Sequence, residues 1–120
     1  IEMLNLVRFR DVAEYPEDHA LSGKNLSSAE AYANYGAETA HILERVGGSI
    51  LWRGGFETVL IGPEDKQWDA MFIARYPTAN AFLAMVTAPD YQLAVVHRQA
   101  AVATSRLIRT SGADGGASFG

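Results

Sequence analysis

The 120-residue chain contains no cysteine. Disulfides, thiolate nucleophiles and Cys-ligated metal centres are therefore excluded. Its apolar runs are all short of the roughly 20 residues that span a bilayer as a helix, so no membrane partner is expected. Basic residues do not cluster either: 10 Lys and Arg are scattered along a chain of formal net charge −4. That distribution argues against nucleic acid as a partner. No phosphate-cradling glycine loop, dinucleotide fingerprint or Ser/His/Asp set is present. The three histidines, His19, His41 and His97, do not stand at metal-ligand spacing. His19 and His41 are expected in solvent and His97 on the outer side of its helix. No metal and no cofactor is expected. No signal-like segment is read, and a cytoplasmic location is the expectation.

What is there suffices for one folded domain. Apolar residues make up 48% of the chain and charged ones 20%, a globular composition. Residues 3–10, "MLNLVRFR", read as a strand that is apolar on both parities. A polar loop with Pro16 and Gly23 covers 11–26. Ser27 stands three residues before Glu30, the spacing of a capping box, and opens a helix. Tyr32, Tyr35, Gly36, Thr39, Ile42, Leu43 and Val46 fall on one stripe of it. Gly47 or Gly48 supplies its left-handed end. Residues 49–61 are expected as the second strand, with a bulge or bend at Gly54 and Gly55. A turn at 62–66 leads to a third strand over 67–76, antiparallel to the second. Pro77 and Thr78 open a second helical region, and Pro89 breaks and restarts it. The restarted helix carries Tyr91, Ala94, Val95, Arg98, Ala101 and Val102 on one stripe. A last strand covers 104–110, and a Gly/Ser/Ala-rich tail covers 111–120.

The order strand, helix, strand, strand, helix, strand predicts an α+β, ferredoxin-like βαββαβ domain over 1–110. In that plan both helices cover one face of an antiparallel sheet. The strands nevertheless lack the alternation expected when one face meets water. The third puts Trp68, Ala70, Phe72, Ala74 and Tyr76 on one face, and Met71 and Ile73 on the other. A homodimer packed sheet to sheet is the economical cover for the second face.

Two stretches carry a resemblance. "YANYGAETAHILERVGGSILWRGG" is similar to the Tyr-x-x-Tyr helix, Gly-Gly and Arg-Gly-Gly pattern of the "domain of unknown function 1330" family. "ARYPTANAFLAMVTAPDYQLAVVHRQAA" resembles that family's strand, Phe-Pro-Ser/Thr, Ala-rich helix, Ser-Pro-Glu-Tyr and Arg pattern. The likeness runs from Leu4 to Ile108. It implies the dimeric alpha-beta barrel superfamily, whose protomers pair sheet to sheet, and it implies no settled activity. Arg75 stands where the pattern has glutamate and Ala88 where it has serine, so no role passes to those two positions.

Several polar residues sit where a core is expected. Arg98 lies on the apolar stripe of its helix, so its charge needs partners. Those partners are either a carboxylate or carbonyl groups of its own chain, or an acidic ligand. Asn5 interrupts an apolar strand and either binds a neighbour or positions a ligand. Trp52 and Arg53 face opposite ways on the second strand: Trp52 reads as core or as a pocket wall, Arg53 as a rim charge. Arg8, Arg75 and Arg106 are further strand arginines, and any two that converge make a cationic pocket. The ligand-binding candidates are thus Asn5, Trp52, Arg53, Arg75, Arg98 and Arg106. Two function classes stay open: a small-molecule-binding protein for an acidic or aromatic compound, extending to cofactor-independent catalysis, and a non-catalytic binding or structural module. A cavity beside these residues favours the first and a filled interior the second.

Overall fold

Ser27 starts α1 (Ser28–Arg45) as its spacing from Glu30 requires. Its hydroxyl accepts the Glu30 N–H at 3.0 Å. The helix ends in a Schellman motif: Gly47 takes φ +78°, its N–H reaches Glu44 O at 2.9 Å, and the Gly48 N–H reaches Leu43 O at 2.9 Å. The computed structural model describes residues 1–120. The other elements are β1 (Glu2–Phe9), β2 (Ser49–Gly54), β3 (Ala70–Arg75), α2 (Ala79–Thr87), α3 (Pro89–Ala101) and β4 (Val102–Thr110). All pairings in the sheet are antiparallel, and the strand order is β2-β3-β1-β4. This is the ferredoxin-like α+β arrangement that the element order predicts.

Ala88 joins α2 to α3. Its ψ of 140° is the extended value that a following proline enforces. It closes α2 through Ala88 N–H to Met85 O at 3.1 Å and opens α3 by accepting the Gln92 N–H at 3.0 Å. With alanine here instead of serine, no side chain caps α3. The Asp90 carboxylate takes the Tyr91 N–H at 3.0 Å instead. Asp90 also receives both terminal nitrogens of Arg45, at 2.8 and 3.0 Å, which ties the end of α1 to the start of α3. The Arg45 hydrogen bond holds the Asp90 carboxyl down at about 2.

Register assigns the faces. Met3, Val7 and Ala74 are buried towards the helices together with Ile42, Met85 and Tyr91. Paired residues share a face, so the row Arg53, Phe72, Asn5, Leu107 lies on the helix side. The row Trp52, Ile73, Leu4, Ile108 lies on the other, with Leu6 and Met71 next to it. No protein layer covers that second face. The radius of gyration is 15.7 Å, against about 14 Å for a compact chain of this length. The smallest extent is 16 Å, room for one sheet and one helix layer only.

Three expectations are corrected. The second strand ends at Gly54, not at residue 61, and the third begins at Ala70, not 67. Residues 55–69 connect them without regular structure. The bulge is not at Gly54 and Gly55. Ile50 pairs with Ala74 and Trp52 with Ile73, which leaves Leu51 as the extra residue. That one residue shifts the phase of β2, so Ile50 and Arg53 share the helix face while Trp52 turns to the open side. Gly54 has a different job: a Cβ there would collide with the Trp52 indole, which lies across it. Finally, α3 stops at Ala101, and Val102 belongs to β4 instead of the helical stripe.

Gly47→Ala should cost about 1–2 kcal/mol, because a side chain is strained at positive φ. Its Cβ would also press on Pro77 Cγ at 3.0 Å. Gly55→Ala, with no atom within 4 Å of the added carbon, should stay within about 0.5 kcal/mol of the parent. Urea midpoints of the two variants check the contrast.

Candidate functional site

The stripes of α1 and α3 do not close onto the sheet. Between them and the helix face of the sheet lies a cavity of about 610 Å³. Its floor is the row Arg53, Phe72, Asn5 and Leu107, and its walls come from α1, α2 and α3. Most of the lining is apolar, with Phe82, Met85 and Val86 from α2 at one end. The polar groups are few: Asn5, Arg53, Arg98, Ser105, Thr39 and four tyrosines, Tyr32, Tyr35, Tyr76 and Tyr91.

Each polar group has an identifiable place. The Arg98 side chain donates to Ser105 Oγ at 3.1 Å, and no carboxylate lies within ion-pair distance of it. The acidic or carbonyl partner expected for Arg98 is therefore replaced by a neutral hydroxyl. Arg53 stacks its guanidinium over the Phe72 ring at 5.8 Å and likewise has no ion pair. It lines the cavity and is exposed, as a charge at its rim. Asn5 Nδ2 bonds the Met3 carbonyl oxygen at 3.1 Å, which fixes the amide on the floor.

The Tyr35 and Tyr91 hydroxyls bond each other at 2.9 Å across α1 and α3. Burial, then the neighbouring Tyr91, pushes the Tyr35 phenol far above its usual range. Burial raises Tyr32 as well, against the pull of the Arg98 and Arg53 charges. Tyr76, on the core side of the cavity, is pushed up to about 12 by burial and by Tyr91. The cavity thus holds neutral phenols beside two guanidinium groups that lack counter-ions.

Trp52, Arg75 and Arg106 do not join this site. Trp52 is 46% exposed on the open face and is neither core nor cavity wall. Arg75 pairs with Glu2 at 3.2 Å. Arg106 lies over the Trp68 ring at 5.7 Å and donates to the Ser105 carbonyl oxygen at 2.9 Å. The converging arginines are Arg53 and Arg98. Tyr32, Tyr35 and Tyr91 were placed on core stripes by spacing alone. The signal for a site role is the hydroxyls, which an apolar stripe does not need.

His97 departs from expectation too. It is buried, with Nδ1 at 2.7 Å from the Tyr15 hydroxyl and Nε2 at 3.1 Å from Glu38. His19 stacks on Tyr15 and is partly buried, not solvated. The outer side of α3 is covered because the 11–26 loop folds across it, pinned by Glu14 N–H to Ala100 O at 2.9 Å. No cluster of three or more His, Cys, Asp or Glu side chains suited to a metal ion occurs. No helix is long and apolar enough to cross a membrane.

The sequence profile of the family described as "Domain of unknown function (DUF1330)" matches residues 20–111. The chain belongs to the DUF1330 family. It is 48% identical to a protein of unknown function from Rhodopseudomonas palustris, whose crystal structure superposes with a TM-score of 0.86. That match covers 95% of this chain and 82% of the other. Two more distant structures share the fold. One is an uncharacterized NIPSNAP domain protein from Burkholderia xenovorans, at 14% identity, TM-score 0.54 and 93% coverage of both chains. The other is a dimeric protein of unknown function and ferredoxin-like fold from Bacteroides fragilis, at 10% identity, TM-score 0.52 and coverage of 89% and 90%. No curated protein matches the chain. The DUF1330 assignment thus gives lineage and fold.

Raised phenol pKa values set the alkaline limit of the fold. The folded state keeps protons that the unfolded chain releases near the ordinary value of 10.0. The contribution is fully present below pH 10 and is lost as pH rises from there towards the folded values. Urea midpoints should be flat up to about pH 9 and fall beyond pH 10, with phenolate absorbance appearing together with unfolding and not before it.

Proposed function

We propose that this protein binds a small acidic compound with an apolar or aromatic body in the cavity between helices and sheet. The carrying observation is that Arg53 and Arg98 both line a mostly apolar cavity and neither has a carboxylate partner. Arg53 is exposed and Arg98 half-buried, so both are free to hold a ligand anion through charge-assisted hydrogen bonds. The planar fork of arginine suits a carboxylate or a phenolate. Tyr32 stands within the field of both guanidinium groups and stays protonated, which makes it a hydrogen-bond donor to the same anionic oxygen. Phe72, Phe82 and the Tyr35–Tyr91 pair offer the apolar surface for the body of the ligand. An empty volume of this size argues for a binding protein and against a module with a filled interior.

We further propose that the working form is a homodimer joined through the open sheet face. The row Trp52, Ile73, Leu4 and Ile108, with Leu6 and Met71, is apolar; Trp52 and Ile108 are exposed and the other four half-buried. The ligand cavity lies on the other face of the same sheet, so pairing there leaves it free. The dimeric Bacteroides fragilis protein of the same fold is in keeping with this reading.

Benzoate and salicylate should raise the melting temperature in a saturable way, and neutral benzyl alcohol should not. Arg98→Gln or Arg53→Gln should weaken that binding tenfold to about a hundredfold, as expected when a hydrogen bond to a charged group is lost. Equal response to acid and alcohol would sink the assignment. Sedimentation at micromolar concentration should give twice the 13.0 kDa chain mass. Ile73→Glu should return the single-chain value with its helix content intact.

A further inference from the structure

A cluster of titratable side chains joins the 11–26 loop to the outer side of α3, and none of them lines the cavity. His19 is its hub. The His19 N–H donates to Pro16 O at 2.9 Å, and His19 O accepts the Ser22 N–H at 3.0 Å, so this one residue closes the turns on both sides of it. Its ring adds a third bond: Nδ1 takes the Leu21 N–H at 3.0 Å. The same ring stacks on Tyr15, with 4.7 Å between centroids, and meets the His97 ring edge-on at 5.7 Å.

The bond from Leu21 sets the protonation state that the closed loop requires. A backbone N–H only donates, so Nδ1 of His19 must offer a lone pair and the ring must be neutral. A proton at Nδ1 would set two donors against each other and break the bond. It would also turn a cation towards His97, and no carboxylate stands within ion-pair distance of His19 to offset it. Glu17 and Asp18, its neighbours in the chain, are exposed. His97 behaves differently. A proton there keeps both bonds, because Nε2 donates to Glu38 and the Tyr15 hydroxyl oxygen accepts from Nδ1. The remaining titratable groups at this contact are Glu38 of α1 and Tyr15, whose phenol is pushed up by burial and stays protonated.

We infer that protonation of His19 unlatches residues 14–22 from α3, so that the loop is closed at neutral pH and open in mild acid. Histidine is the side chain that ordinarily gains its charge between about pH 8 and pH 5. The sign follows from the bond: closure needs the unprotonated ring, so it is present at the higher pH and lost as the proton binds. Opening uncovers His97 and parts the Glu14 N–H from the Ala100 carbonyl oxygen. The sheet and the core make no use of His19, so the event is local.

The test compares amide protection factors of Glu14 and Leu21 with that of Ile42, in the core, at about pH 8 and about pH 5. In the parent, Glu14 and Leu21 should lose about tenfold in acid, the worth of one hydrogen bond, while Ile42 keeps its value. His19→Asn is the control. Asparagine Oδ1 takes the same N–H two residues on, as in an Asx turn, and does not titrate. That variant should keep its loop closed at both pH values. Equal protection of Leu21 in the parent at the two pH values would overturn the inference. So would the same acid loss in His19→Asn, which would pass the role to another group, or a loss at Ile42 in step with Leu21, which would mark global unfolding.

Discussion

Alternation along β1 governs the molecule. Met3, Asn5 and Val7 face the helices, and Leu4 and Leu6 face the opposite way. Because β1 is a central strand, its neighbours must obey the same parity through the ladder. Each row of the sheet then faces one environment, and successive rows alternate between the two. Met3 and Ala74 pack beneath α1 and α2, whereas the Asn5 row is kept from full packing by the tyrosines of α1 and α3. The Tyr35–Tyr91 hydroxyl bond ties the two helices together over that row, where the cavity lies.

The charge distribution sets that cavity apart. The chain is acidic overall, yet its ion pairs lie outside the cavity: Arg45 with Asp90, Arg75 with Glu2, Arg10 with Glu14. The two guanidinium groups that face the apolar interior are left with a hydroxyl and a ring face. Neither neutralises a charge.

The frame of this fold was legible because its punctuation is local. Ser27 with Glu30, Gly47 after the α1 stripe, and Pro89 after Ala88 each act through backbone chemistry that neighbouring residues determine. The site was legible in part: Asn5 and Arg98 announced themselves as polar groups in apolar settings. The misreadings share one cause, which is that tertiary pairing decided them. Counting by twos from Ile50 sends Trp52 to the core, and only the partner strand reveals that Leu51 is skipped. Counting along α3 sends His97 to solvent, and only the loop that returns over it reverses that. Residues 55–69 look like strand and turn by composition, but past Gly54 no partner strand continues the pairing.

The unpaired Leu51 has a consequence for how relatives are to be aligned. If β2 ran against β3 in unbroken register, Trp52 would stand opposite Phe72 and Arg53 opposite Met71. The indole would then enter the cavity and the guanidinium would leave it. Gain or loss of a bulge in this edge strand therefore exchanges a cationic wall for an aromatic one in a single event, with no substitution at either position. Two family members with the same residues at this column can present opposite chemistry to a ligand. Their ligand classes have to be compared by which residue sits across from Phe72, and not by column number.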